Sequence, residues 1–409
     1  MNGLRGVCAT CARTIVVIDE EHVRRLPTVP PRGYGWPFRP VGKEMQVTGR
    51  IWPNGRVALA TAALALGLAA CGSSSNNNTT TTTTTNGGGA AGTTTSATTG
   101  SASGSGMKVG LVTDIGGLND HGFNHLSYQG LLQAENQLGV KGTVLQSSSG
   151  ADYIPNLTRL AQAGNKLVIA VGFLMAAPLQ QVALKYPNTH FAIIDSPGGT
   201  APDTAKNIEG IDFAEQQAGY PAGYLTGLYL KAHNYTTAST VGGQSIPPVD
   251  LYIAGFQDGV KASDPSAKLL NAYSQDFVAQ DKCKELALNQ INAGSKVVFQ
   301  VAGACGLGAI SAAVQNKDQA IGVDADQSYL SPTFVLTSAE KKVDTGVFTA
   351  IKDLQNGQFS SNLQEDITNG GVGIGKIGPA GAQYEAQINN IIAQMKSGQI
   401  KPATTVAVK

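Results

Sequence analysis

The sequence predicts an α/β protein of two doubly wound parallel-sheet lobes around a cleft. Three observations carry that expectation. Short apolar runs alternate with helical patterns from Lys108 to the C-terminus, the grammar of parallel strands joined by crossover helices. About ten such strands over roughly 300 residues fit two doubly wound lobes better than one sheet. Acidic residues and glycine-rich turns recur where the strands end, the side on which open parallel sheets meet small molecules.

The segment before Lys108 is read by composition. The 409 residues carry a formal net charge of +1, so no global field selects a nucleic acid or an acidic partner. Residues 1–44 have no usable periodicity and read as a leader outside the fold; Cys8 and Cys11 have a metal-like spacing but no two further ligands nearby. Residues 45–71 read as a secretory signal, with Arg50 and Arg56 ahead of an apolar run from Val57 to Ala70 and small residues before Cys71. That run falls short of the roughly 20 residues a membrane-spanning helix needs. Leu68-Ala69-Ala70-Cys71 followed by Gly72 resembles the lipobox of bacterial lipoproteins, which implies a lipid on Cys71 and anchorage at the extracytoplasmic face of the cell membrane. Residues 72–107 are mostly Ser, Asn, Thr, Gly and Ala, including unbroken threonines from Thr79 to Thr85. They have too little to bury to offset their ordering entropy and read as a disordered tether.

The elements then follow in order. Lys108–Thr113 is an apolar strand that ends in Asp114 and a glycine pair, followed by the polar knot Asn119-Asp120-His121 and a helix over Phe123–Leu138. Further strands are expected at Thr143–Gln146, Leu167–Val171, His190–Asp195 and Asn207–Ile211, with a helix at Tyr153–Ala163. A long helix, Glu215–Ala232, opens the second lobe. It is followed by strands at Ala238–Gly242, Lys268–Ala272, Lys296–Val301, Ala320–Val323 and Phe334–Thr337, and by helices at Asp250–Ala262, Asp281–Asn292 and Glu340–Gln355. An irregular strand in Gly370–Gly378 and a helix in Ala380–Met395 close the chain. The expected division is residues 108–211 plus 327–361 for the N-terminal lobe and 212–326 plus 362–409 for the C-terminal lobe.

Strand ends deliver Asp114, Asp195, the turn Gly303-Ala304-Cys305-Gly306, and Asp324 to the same side of the two sheets. Three aspartates so placed serve acid–base chemistry, a metal, or the hydroxyl and N–H groups of a polar ligand. A metal site usually gathers its ligands in one loop, which these do not do. A glycosidase pair needs a fixed separation that sequence does not give, and each aspartate alone also suits a helix cap. Phe123 and Phe277 each suit the core, but both stand at strand-to-helix turns, one per lobe, where two rings can sandwich a flat one. His121 has no matching nucleophile signature and reads as a polar rim residue. Cys283 lies in the first turn of a helix, and the next strand brings Cys305 back to the same end of the sheet, because the helix and strand cover similar lengths. A disulfide between them is expected in an oxidising compartment.

Taken together and in order, KVGLVTDIGGLNDHGFNHLSYQG, FAIIDSP, EQQAGYPAGYLTG, PPVDLYIAGFQDGV, IGVDADQ and LTSAEKKVD resemble the BMP (basic membrane protein) family of substrate-binding lipoproteins, which includes purine nucleoside receptors of ABC importers. The resemblance runs from Lys108 to the C-terminus. It implies a type I periplasmic-binding-protein fold that closes on a nucleoside and delivers it to an ABC permease. By position it implies ligand contacts from Asp114, Asn119, Asp120, Phe123, Asp195, Phe277, Gly303, Asp324 and Lys341. The carboxylates would accept hydrogen bonds and Lys341 would offset part of the acid. The family usually has a second acid at Asn119 and a Lys-Ser pair at His121-Gly122. No catalytic residue, metal or cofactor is expected. Two other readings remain open at this stage: the same fold as a sensor or adhesin without transport, and a lipid-anchored hydrolase using Asp114 and Asp120.

Overall fold

The computed structural model describes residues 106–199 and 205–408; the expected leader, the signal segment with Cys71 and the tether up to residue 105 lie outside the described residues. The N-terminal lobe begins with β1 (Lys108–Val112), α1 (Phe123–Leu138), β2 (Lys141–Leu145) and α2 (Tyr153–Gln162). It continues with β3 (Leu167–Ala170), α3 (Ala176–Lys185), β4 (His190–Ile194) and β5 (Ile208–Phe213). The C-terminal lobe follows with α4 (Gln216–Ala232), β6 (Thr237–Gly242), α5 (Pro247–Ser263), β7 (Lys268–Tyr273) and α6 (Gln280–Asn292). Then come β8 (Val297–Val301), α7 (Gly303–Gln315), β9 (Gln319–Asp324) and β10 (Val335–Lys341). The chain next supplies α8 (Val343–Gln355) and β11 (Asn362–Glu365) to the first lobe, and ends in the second with β12 (Val372–Ile374) and α9 (Glu385–Lys396).

The strands form two sheets, ordered β11-β5-β4-β3-β1-β2 and β12-β10-β9-β8-β6-β7. Every pairing is parallel except that of β12 with β10. Parallel strands covered by helices on both faces must be apolar throughout, and all four residues of β3 and all five of β8 are buried. Helices α1 and α8 pack together on one face of the first sheet, α2 and α3 on the other. In the second lobe α4 pairs with α5 and α6 with α7. The strand order reverses at β1 in one sheet and β6 in the other, so the crevice at each reversal opens beyond the carboxyl ends of the strands.

The ten expected strands are all present, but the sheets divide the chain differently from the expected return segments. β10 lies within 327–361 yet stays in the second sheet, whereas β11, at 362–365, joins the first. The helix expected from Glu340 starts at Val343, because Glu340 pairs with Asp324 of β9 and Lys341 with Val372 of β12. Ladder hydrogen bonds there override the polar character of the segment. β11 is short, polar and half exposed, so no apolar alternation marks it. Gly303–Gly306, expected as a turn, is the first turn of α7; a side chain at Gly306 would collide with Gln300.

Candidate functional site

The first wall grows from β1. Two residues beyond it, the backbone N–H of Asp114 donates to Asn124 Oδ1 at 2.9 Å. The Asp114 carboxylate accepts the Ile115 N–H at 2.7 Å and the Tyr153 hydroxyl, both on Oδ1. Its other oxygen lies beside Gly172, which follows β3 with a φ of 110°. A Cβ there would come within 2.8 Å of Asp114 Oδ2 and 3.2 Å of the Phe123 ring, so the glycine provides both the backbone conformation and the room.

Asp120 does different work. Its oxygens accept the N–H groups of Gly122, Asn124 and His125 at 3.2, 2.7 and 3.0 Å, satisfying orphan donors of the first turn of α1. Asp120, which was not among the three strand-end aspartates weighed as helix caps, is the acid that caps a helix, and it also faces the cavity.

Asp195, just after β4, and Asp324, at the end of β9, have φ values of 66° and 63°. Asp tolerates this left-handed conformation better than most residues, and it turns both carboxylates toward Lys341 at the end of β10. Lys341 Nζ lies 2.8 Å from Asp195, 3.4 Å from Glu215 and 3.9 Å from Asp324. It also sits 4.7 Å from the Phe123 ring centroid and 5.6 Å from that of Tyr252, whose hydroxyl donates to Asp324 Oδ1 at 3.3 Å. Lys341 is only 2 % exposed. Burial works against its charge, but Asp195, Glu215 and Asp324 outweigh it and hold its pKa above the ordinary lysine value.

The acids carry the opposite burden. Burial raises Asp114 to about 6 despite the bonds from Tyr153 and Ile115, and it raises Asp324 to about 6 despite Lys341. Burial also pushes up Asp120 and, more strongly, Glu215. The second wall adds Phe277, whose ring lies over Gly243: a Cβ on that glycine would come within 2.2 Å of the ring. The Phe277 carbonyl accepts the Cys305 N–H at 3.0 Å, and Cys305 is disulfide-bonded to Cys283 with a Cα–Cα distance of 5.5 Å.

These groups meet in one cavity between the lobes, with about 620 Å³ of empty space including its opening to solvent. Asp114, Asp120, Phe123, Asp195, Phe277, Gly303, Asp324 and Lys341 line it. Asn119 is exposed and is not among the described lining residues; Asp120, its neighbour, is the residue turned inward. His121 is exposed at the rim, where its Nδ1 lies 2.7 Å from the Tyr329 hydroxyl of the other lobe and its carbonyl accepts Gln327 Nε2 at 3.1 Å. Sequence reasoning missed Asn124, Tyr153, Glu215 and Tyr252. Glu215 had a signal, since it sits where the chain leaves β5 for the second lobe.

Residues 107–403 match the family described as ABC transporter substrate-binding protein PnrA-like, the Bmp family. The chain belongs to the Bmp family. It is 31 % identical over 282 residues to an uncharacterized lipoprotein of Pyrococcus furiosus, covering 66 % of this chain and 70 % of that one. It is 29 % identical over 326 residues to the ABC transporter nucleoside-binding protein BmpA of Lactococcus lactis, covering 74 % of this chain and 90 % of the relative. Among solved structures, a solute-binding protein of an ABC transporter system from Aeropyrum pernix superposes with a TM-score of 0.66 at 24 % identity, covering 73 % of this chain and 93 % of that one. The two-lobed Bmp chain thus has the expected periplasmic-binding-protein fold.

Proposed function

We propose that the protein is a lipid-anchored, extracytoplasmic receptor that captures a nucleoside with a purine base between its lobes and delivers it to an ABC importer. The cavity carries this reading. Buried carboxylates at its wall are acceptors for ribose hydroxyls and base N–H groups, and Phe123 and Phe277 stand ready to take the flat base. Lys341 offsets part of the acid and joins β10 of one lobe to Asp195 of the other. The Lactococcus lactis relative, named as nucleoside-binding, supports the ligand class. The Pyrococcus furiosus relative, named a lipoprotein, supports anchorage through Cys71.

The hydrolase alternative is disfavoured by Asp120, whose oxygens are already engaged by three backbone N–H groups. Purified protein is expected to gain thermal stability with adenosine, guanosine or inosine, by mass action on the folded state, and to return each one chemically unchanged. Turnover, or no shift with any nucleoside, counts against the proposal. Uptake of labelled nucleoside by cells lacking this protein, compared with cells that retain it, tests delivery.

A further inference from the structure

Asp114 is held from behind the cavity. Tyr153, the first residue of α2, is 4 % exposed, packs its ring in the core, and is not among the described residues lining the cavity. A hydroxyl so buried needs a partner, and its partner is Asp114 Oδ1, which the Ile115 N–H also engages. The Asn124 side chain fixes the Asp114 backbone through its N–H. Rotation of the carboxylate is thereby stopped, and Oδ2 is left on the side of Gly172 and Phe123.

We propose that Tyr153 is a positioning residue for ligand capture: it commits one oxygen of Asp114 to the protein so that the other is presented, in fixed orientation, to a donor group of the ligand. This rests on the nucleoside reading given above. The groups facing Asp114 are Tyr153 on α2 with Asp152 before it, Asp120 ahead of α1, Asp195 after β4, and Asp324 and Lys341 across the cavity. The Tyr153 hydroxyl favours the ionised carboxylate and so holds Asp114 below where burial alone would put it, at about 6. A ligand donor needs the same ionised form, so removing the hydroxyl costs most affinity near that pH.

Tyr153→Phe keeps the ring in the core, and thermal melting checks that the variant folds. Titration of the Asp114 carboxyl by carbon-13 NMR in the ligand-free protein should show a higher midpoint in the variant. Affinity for adenosine, guanosine and inosine should fall about tenfold at pH 6, with a smaller loss at pH 8. An unmoved Asp114 midpoint overturns the proposal, as does unchanged affinity at both pH values. If the unaltered protein binds none of these nucleosides, the functional reading fails on its own, and the ligand-free titration still decides whether Tyr153 governs Asp114.

Discussion

Phe123 makes two contacts that matter together: Lys341 Nζ lies 4.7 Å from its ring centroid, and the bare backbone of Gly172 lets the ring approach. The ring also lines the cavity, where it can meet a base. Phe123→Ala should therefore weaken nucleoside binding by about 1–3 kcal/mol, measured by calorimetry; unchanged affinity would return Phe123 to a packing role. Phe277 is held in another way, with its ring against Gly243. Alanine at Gly243 has no backbone objection, but its methyl would occupy the place of the ring, so Phe277 must move. Gly243→Ala should cost a similar 1–3 kcal/mol of binding. In a Phe277→Ala background it should cost almost nothing more, because the obstructed ring is gone; additive losses would sever the two positions.

At the scale of elements, the disulfide joins the first turns of α6 and α7 and thereby steadies the segment carrying Phe277. Cys283 and Cys305 are both 0 % exposed and lie 22 residues apart. In the loop-entropy treatment, a bridge of that span contributes about 3 kcal/mol. Denaturation with and without reductant should show a loss of that size, along with weaker ligand binding through Phe277. Two free thiols in the exported protein, found by mass spectrometry, would remove the premise. The expectation was available before the structure because both cysteines stand at element ends, and ends are what sequence marks best. Helix α1 begins and ends where expected, at Phe123 and Leu138, because Gly122 and Gly139 bracket it, the latter at a φ of 66°. Asp114, Asp195 and Asp324 were legible for the same reason. Tyr153, at the start of α2, and Tyr252, inside α5, were not, since which face of a helix meets a strand end is settled only by packing. Lys341 lines the cavity but stands in a strand where a helix was expected, because a strand terminus made of Ser338, Glu340 and Lys341 has no β signature without its partners β9 and β12.

Across the whole molecule, the two lobes are tied at the cleft by buried charge, with Lys341 of β10 clamped to Asp195 of the other lobe. The surrounding acids give this arrangement a pH signature of unusual sign. Burial raises Asp114 and Asp324 to about 6 and raises Glu215 as well, whereas in the unfolded chain such carboxyls titrate near 4. Between those limits the folded state binds more protons than the unfolded one, so stability rises as pH falls through 6 toward about 4.5. On the proposed function ligand binding runs the other way, because hydrogen-bond donors on the ligand would require Asp114 and Asp324, which line the cavity, to be ionised. The melting temperature of ligand-free protein should therefore climb as pH is lowered from 8 to 5, while the increment added by a bound nucleoside shrinks over the same interval. Calorimetric scans at fixed ionic strength read both. A ligand-free melting temperature that falls steadily over that range would mean the acids are ionised at little cost. An increment indifferent to pH would mean that the ligand does not use them. Lys341→Met separates the contributions, since it leaves Asp195 and Glu215 buried without their cation, and the loss should be about 3–5 kcal/mol at pH 8. As the remaining acids take up protons toward pH 5, that loss should narrow.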